Sequence, residues 1–162
     1  MQKSSLSTVW LHLVTIFFVV TNVSNFKVAG FANVMPLFDV MAIFYFAVFK
    51  QIFGIWFVFL VGIWSDALNE NLLGSTSLTY ILLIKVFLTL NNRMLIRENF
   101  RHIFEQFVIF CFFYLFIKWA IVSVVNDSSY NIIVPMIQFF VSSVIYVLMH
   151  KFFDFLSEKL LK

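Results

Sequence analysis

Charged residues are scarce in this sequence. Only 12% of its 162 residues are Asp, Glu, Lys or Arg, 62% are hydrophobic, and the mean hydropathy is +0.98. Soluble domains have about 25% charged and about 45–50% apolar residues. The composition therefore predicts an integral membrane protein with one polytopic membrane domain over residues 1–162. The net charge of +3 is too small and too dispersed to indicate a nucleic-acid-binding protein.

Cysteine is almost absent as well. The single cysteine, Cys111, lies inside an apolar run, so the chain cannot form an internal disulfide bond. Cysteine usage therefore gives no indication of the redox compartment. We interpret Cys111 as a small buried hydrophobic residue.

The common enzyme motifs are missing too. The sequence has no HExxH, CxxC, GxGxxG or Walker motif, and residues 74–77 (GSTS) do not supply the GxSG turn of membrane serine peptidases. Lipoprotein signal peptidases have a similar length and use an aspartate pair, for which Asp39, Asp66 and Asp127 are the candidates. The asparagine- and aspartate-centred motifs of that family are absent. We predict a non-enzyme without catalytic residues, metal or cofactor, and keep a small intramembrane aspartate protease as an alternative.

Apolar segments make up most of the sequence. A membrane-spanning helix needs about 20 apolar residues. We predict an all-α bundle with six spans at residues 8–25, 36–49, 52–65, 72–90, 103–125 and 131–149. The first is expected to be a retained anchor, because no small-x-small cleavage site follows it. The second and third form a hairpin around Lys50 and Gln51, with arms of only about 21 Å. A five-span alternative treats residues 34–67 as a single span and needs an outside N-terminus.

The basic residues predict the orientation. Cytoplasmic loops of membrane proteins carry an excess of Lys and Arg. With six spans and both termini in the cytoplasm, residues 91–102 form a basic cytoplasmic loop, residues 150–162 form a basic cytoplasmic tail, and only Lys27 lies outside. The cytoplasmic set is then Lys3, Lys50, Arg93, Arg97, Arg101, Lys151, Lys159 and Lys162. The five-span alternative would leave Lys50 near the membrane centre.

Two charges inside the predicted spans have ordinary structural explanations as well as functional ones. Charges within a membrane are costly and often functional. Asp39 follows Pro36 in the first turn of its helix, where an acid complements the helix dipole. Lys85 lies about six residues from the cytoplasmic end of its span, where its long side chain could extend to the interface.

Asp66 is less easily explained. It lies near the C-terminal end of the third span, where the helix dipole disfavours an acid. The start of the next helix, a cation or a partner protein must therefore stabilise it. Gly62, Ser65 and Asp66 share one small-residue face, which favours close helix packing. Lys118 in the fifth span is the candidate counter-ion, and we predict an ion pair of Asp66 with Lys118 near the outer surface.

Three arginines recur at every fourth position after the fourth span: Arg93, Arg97 and Arg101. If residues 91–102 are helical, they form one basic stripe. This stripe contacts anionic lipid headgroups or provides a docking face for a cytoplasmic partner.

An ordered set of residues between positions 36 and 78 resembles the rod shape-determining protein MreD family. In that family a proline and an acid open one helix, a tyrosine follows, a G-[LI]-x-x-D-x-[LA] pattern ends the next helix, and an L-G pair precedes a further span. The corresponding residues here are Pro36, Asp39, Tyr45, Gly62, Ile63, Asp66, Leu68, Leu73 and Gly74. The length, the six-span pattern and the basic ends also match.

The resemblance implies a non-catalytic scaffold of the cell-elongation complex in the bacterial inner membrane. The implied partners are an MreC-like single-pass protein, MreB, a RodA-type glycosyltransferase and a penicillin-binding transpeptidase, which together carry out peripheral peptidoglycan synthesis and maintain rod shape. The fold is also similar to the substrate-binding membrane subunit of vitamin transporters. That transporter function remains an alternative, because fold does not fix function.

Overall fold

The computed structural model describes residues 2–23, 35–69, 72–91, 100–125 and 132–161. These ranges contain six α-helices and no β-strand: α1 (Gln2–Val23), α2 (Phe38–Ile43), α3 (Ile55–Leu68), α4 (Ser75–Asn91), α5 (Phe100–Val125) and α6 (Ile133–Leu161). Helix α2 continues directly into a π-helical segment, Phe44–Phe49. The predicted all-α class is confirmed for the described part of the chain.

The chain leaves the helix after the π-helical segment. The amide of Lys50 donates to the Tyr45 carbonyl (2.9 Å) and that of Ile52 to the Phe46 carbonyl (2.8 Å). Gln51 has a positive φ of 52°, a conformation that does not continue a helix. A new helix, α3, then begins at Ile55. The predicted break at Lys50 and Gln51 is confirmed, so residues 38–68 do not form one continuous helix.

The segment formed by α2 and the π-helical residues lies at the centre of the bundle. Every residue from 39 to 48 is buried, and α1, α4, α5 and α6 all contact the segment. The Phe44 ring, for example, lies 5.5 Å from the Phe107 ring and 5.9 Å from that of Tyr146. Because other helices surround it, this segment is apolar on almost all its faces, with Asp39 as its one charged residue.

In the described part of the chain, two helical segments are long and apolar enough to cross a membrane: Phe100–Val124 and Ile133–Lys159. Four further apolar helical segments are shorter: Thr8–Thr21, Phe38–Phe49, Ile55–Leu68 and Ser75–Thr89. Large apolar side chains are exposed along the outer faces of the two long helices, among them Phe112, Phe116, Val144 and Leu148. An extensive exposed apolar surface of this kind is typical of contact with lipid or with another protein.

Some helix boundaries differ from the predicted spans. Helix α4 begins at Ser75 rather than at residue 72, because Gly74 adopts a positive φ of 93° just before it. Helix α6 continues to Leu161, through most of the predicted tail. This extension is stabilised because Phe153 and Ser157 are buried on its inner side.

Helices α3 and α4 pack closely at Gly62. A Cβ atom at this position would lie only 2.6 Å from the Ser77 Cα and 2.7 Å from the Ser77 nitrogen. The Ser77 hydroxyl also donates to the Phe59 carbonyl of α3 (2.9 Å). The predicted small-residue face is therefore a helix–helix contact, in which Gly62, Ser65 and Asp66 are all buried.

We predict that Gly62→Ala lowers the free energy of unfolding by about 1–3 kcal/mol, because the added methyl group meets the backbone of α4. Intrinsic helix propensity alone would instead raise it by about 1 kcal/mol, so the sign of the change tests the contact. Gly54→Ala is the control, because a Cβ there meets nothing within 4 Å. Thermal unfolding in mild detergent can be followed with a thiol-reactive fluorophore, since Cys111 is buried in the folded protein. A stabilised Gly62→Ala protein would contradict the close packing.

Candidate functional site

The candidate site is the junction between α3 and α4, centred on the carboxylate of Asp66. Asp66 lies in the last turn of α3 and its side chain is fully buried. The Asn69 side-chain amide donates to the Ser65 carbonyl (2.8 Å) and helps to end α3. The chain then turns at Gly74, whose positive φ favours glycine. This turn brings the start of α4 against the end of α3.

Asp66 accepts four hydrogen bonds from the start of α4. Its Oδ2 accepts the backbone N–H groups of Gly74 and Thr76, each at 2.9 Å. Its Oδ1 accepts the hydroxyls of Ser75 (3.2 Å) and Thr76 (2.5 Å). The first N–H groups of an α-helix lack partners within the helix. Asp66 therefore caps α4 from the preceding helix.

This cap explains an acid at the C-terminal end of α3. The partial negative charge of that helix end disfavours Asp66, whereas the partial positive charge at the start of α4 stabilises it. Of the three explanations that the sequence left open, the start of the next helix is confirmed.

A cation contributes as well. Lys118 of α5 places its Nζ 3.5 Å from Asp66 Oδ1, and its side chain is only 17% exposed. The same Nζ donates to the Thr76 hydroxyl at 2.6 Å, and that hydroxyl in turn donates to Asp66. The predicted pairing of Asp66 with Lys118 is thus confirmed, and the contact ties α5 to the α3–α4 junction.

Asp39 belongs to a second polar contact. It lies in the first turn of α2, as predicted, and its Oδ2 accepts the Tyr80 hydroxyl of α4 at 2.9 Å. The Tyr80 ring stacks on that of Tyr114 in α5, with ring centroids 5.2 Å apart. Asp39 therefore helps to position α2 against α4.

Pro36 is buried in the short segment that leads into α2. On either side of it, α6 binds the backbone. The amide of Leu37 donates to the Ser142 hydroxyl (3.0 Å), and the Gln138 side chain donates to the Met35 carbonyl (3.1 Å). Two polar side chains of α6 thus fix the segment around Pro36.

Tyr45 contacts the C-terminal part of α6. Its hydroxyl donates to the Asp154 carboxylate and lies 3.3 Å from the Ser157 hydroxyl. Asp154 Oδ2 also lies 3.3 Å from His150 Nε2, and the His150 ring is 5.3 Å from the Tyr45 ring. This cluster anchors the extended part of α6 to the central π-helical segment.

The remaining predicted site residues lie elsewhere. Lys85 is exposed on α4. Arg101 is exposed near the start of α5 and pairs with Glu105 at 3.1 Å. Arg93 and Arg97 lie outside the described residues. The structure therefore brings together Gly62, Asp66, Gly74 and Lys118 of the predicted set.

Sequence reasoning missed several partners in these contacts. Thr76 bridges Asp66 and Lys118, and its position just after Gly74 and Ser75 is a recognisable helix-start signal. Tyr80 lies 41 positions from Asp39, and Asp154 lies 109 positions from Tyr45. No local pattern in the sequence indicates pairings over such separations.

The arrangement at Asp66 is suited to holding helices together. Donors of the same chain bind both carboxylate oxygens, so Asp66 joins α3 to α4 and α5. We call this contact of Asp66 with Gly74, Ser75, Thr76 and Lys118 the clamp. Within the described ranges, no cluster of three or more His, Cys, Asp or Glu residues that could hold a metal ion is found.

We predict that Asp66→Ala lowers the free energy of unfolding by about 3–5 kcal/mol, because it leaves the largely buried Lys118 without its counter-ion and the start of α4 without its acceptor. Glu105→Ala is the control. It removes an acid from an exposed pair, and such pairs contribute about 1 kcal/mol or less. The Cys111 labelling measurement in detergent gives both values. Equal effects of the two substitutions would contradict a clamp at Asp66.

The clamp also predicts an energetic coupling between Asp66 and Lys118. Asp66→Asn and Lys118→Met should each destabilise the protein, and the double variant should lose less than their sum. Directly contacting residues show coupling energies of about 0.5–3 kcal/mol. Strictly additive effects in this double-mutant cycle would mean that the pair contributes nothing.

We further predict that Tyr45→Phe destabilises the protein by about 0.5–1.5 kcal/mol, because the hydrogen bond from the buried Tyr45 hydroxyl to the partly exposed Asp154 carboxylate is lost. In the Asp154→Asn background the same substitution should cost less, since the charged acceptor is already gone. Unfolding measured on the four proteins gives the comparison. A Tyr45→Phe protein as stable as the wild type would contradict the anchoring contact.

Comparison of the chain with protein-family models, with curated proteins and with solved structures gives no match.

Proposed function

We propose that this chain is a non-catalytic scaffold in a bacterial inner membrane, which acts by binding other proteins within and beside the bilayer in the manner of the MreD family. The observation that carries the proposal is the buried carboxylate of Asp66. This carboxylate binds the start of α4 and Lys118, so it holds helices together. The carboxylate of an enzyme would instead have to be accessible to its substrate.

Three of the residues that resemble the MreD pattern support this proposal, because together they form the contact between α3 and α4. Gly62 allows α3 and α4 to meet, Gly74 makes the turn between them, and Asp66 joins the two helices. Their spacing along the chain therefore has a structural reason. A rigid helical hairpin is useful to a protein that presents a surface to partners, because preorganisation lowers the cost of binding.

The membrane placement rests on the long apolar helices and on the charges. We propose six spans, with both termini and the basic segments 91–102 and 150–162 in the cytoplasm. The two longest helices satisfy the length requirement of a bilayer. The shorter helices lie in the same bundle and would need a locally thinner bilayer or shielding by protein.

The proposed partners are an MreC-like single-pass protein, MreB, a RodA-type glycosyltransferase and a penicillin-binding transpeptidase. Together with them, the chain would support peripheral peptidoglycan synthesis and rod cell shape. The exposed basic residues near the start of α5 and along the end of α6, such as Arg101 and Lys151, would face anionic lipids or a cytoplasmic partner.

We predict that the tagged full-length protein, expressed at its native level in its own host and purified in mild detergent, retains an MreC-like single-pass protein. Asp66→Asn should retain less of it at equal protein level, because the surface that α3 and α4 present is less well fixed. Glu105→Ala is the matched control and should retain as much as the wild type. Identification of the co-purified proteins by mass spectrometry gives the result.

Two outcomes would overturn the scaffold proposal. Recovery of ATPase subunits in place of cell-wall proteins would indicate the vitamin-type transporter subunit, and stabilisation of the purified chain by a vitamin-like solute would support that function. Normal rod shape and normal peptidoglycan incorporation after depletion of the chain would exclude a role in elongation.

A further inference from the structure

One face of α4 is turned away from the bundle. Leu78, Leu82 and Val86 are 69%, 55% and 45% exposed on it, and Lys85 and Thr89 are exposed on the same face. These positions follow the i, i+4, i+7, i+8, i+11 spacing of a single helical stripe. We call this set the α4 stripe. The buried residues of α4, such as Tyr80 and Phe87, lie on the opposite side.

Lys85 is the only charged residue of the stripe, and α4 contains no acidic residue. Among the described residues, no carboxylate lies within salt-bridge distance of its ammonium group, whereas Lys118 of the apolar helix α5 is paired with Asp66. The Thr89 hydroxyl donates to the backbone carbonyl of Lys85 and so does not serve the ammonium. The stripe therefore combines an apolar surface with one cation that has no counter-ion on its own helix.

The position of Lys85 disfavours a simple extension of its side chain to the nearest interface. Lys85 lies about 9 Å before the end of α4 at Asn91 and about 15 Å after its start at Ser75, at 1.5 Å per residue. Side chains on an α-helix point toward its N-terminus. The Cα–Cβ bond of Lys85 therefore tilts toward the more distant end of the helix. Charged side chains inside a membrane commonly pair with an opposite charge or with backbone carbonyls.

We propose that the α4 stripe binds a transmembrane helix of another protein, and that an Asp or Glu within that helix pairs with Lys85. This inference rests on the proposed membrane placement and deepens the proposed function, because it identifies the surface and the chemistry of a partner. Charge complementarity selects the partner: its helix is apolar where it meets Leu78, Leu82 and Val86 and carries one carboxylate at the level of Lys85.

The test is site-specific photocrosslinking of the full chain in its native membrane. A benzophenone amino acid replaces Leu82 in the stripe, and in a control protein it replaces Val144, an exposed residue of α6. We expect Leu82 to give an adduct with a transmembrane segment that contains Asp or Glu, mapped by mass spectrometry, and Val144 not to give it. Lys85→Met should reduce the adduct about fivefold to tenfold, as expected for the loss of one interhelical polar contact. Lys85→Arg should retain it.

A charge exchange completes the test. Lys85→Glu should abolish the adduct, and replacing the mapped acid by Lys should restore it. The Cys111 labelling measurement shows that each variant is folded. The proposal is overturned if the adduct is unchanged in Lys85→Met, if the mapped segment has no acid, if the adduct joins two copies of this chain, or if Leu82 captures only lipid.

The outcomes separate this proposal from the scaffold function. Co-purification of an MreC-like protein with only lipid captured at Leu82 would leave the scaffold standing and remove the α4 stripe as its binding surface. An acid-bearing helix from a protein unrelated to the cell wall, captured in a Lys85-dependent way, would support the stripe and remove the elongation role.

Discussion

The capping of α4 by Asp66 is the interaction on which the arrangement of three helices depends. A carboxylate at the end of α3 is unfavourable by itself, and four donors at the start of α4 make it favourable. Lys118 then adds α5 to the same contact. A buried carboxylate without these partners would cost several kcal/mol. The arrangement is therefore cooperative, since displacing any one of the three helices exposes or isolates a charge.

The two glycines make this contact sterically possible. Without a side chain at Gly62, the backbone of Ser77 approaches α3 closely enough for Asp66 to reach the first turn of α4. Gly74 allows the left-handed turn that aims its own N–H at the carboxylate. A stripe of small residues by itself brings helices close without fixing their register. In this hairpin the directional hydrogen bonds of Asp66 supply the register.

The sequence was sufficient to predict the helical class, the order of the helices, the break at Lys50 and the pairing of Asp66 with Lys118. These features follow from composition, apolar run length and the high cost of isolated charges. It was insufficient for the π-helical geometry, for Tyr45 binding Asp154 and for the extension of α6. Those features depend on side chains that are far apart in the chain. The polar tail predicts an end to the apolar span, and only the packing of Phe153 and Ser157 on the core reveals that the helix continues.

Polar contacts determine the rotation and depth of the central segment formed by α2 and the π-helical residues. A helix that is apolar on almost every face gains similar burial in many orientations, so hydrophobic packing alone does not fix its rotation or depth. Asp39 binding Tyr80, the Leu37 amide binding Ser142 and Tyr45 binding Asp154 are directional and attach the segment to α4 and α6 at different levels. Because these polar groups bond within the chain, they are engaged before any partner arrives. A partner of the kind proposed would therefore bind the outer faces and leave these contacts intact. Many large apolar side chains are exposed on those faces, and on α4 they surround the exposed Lys85.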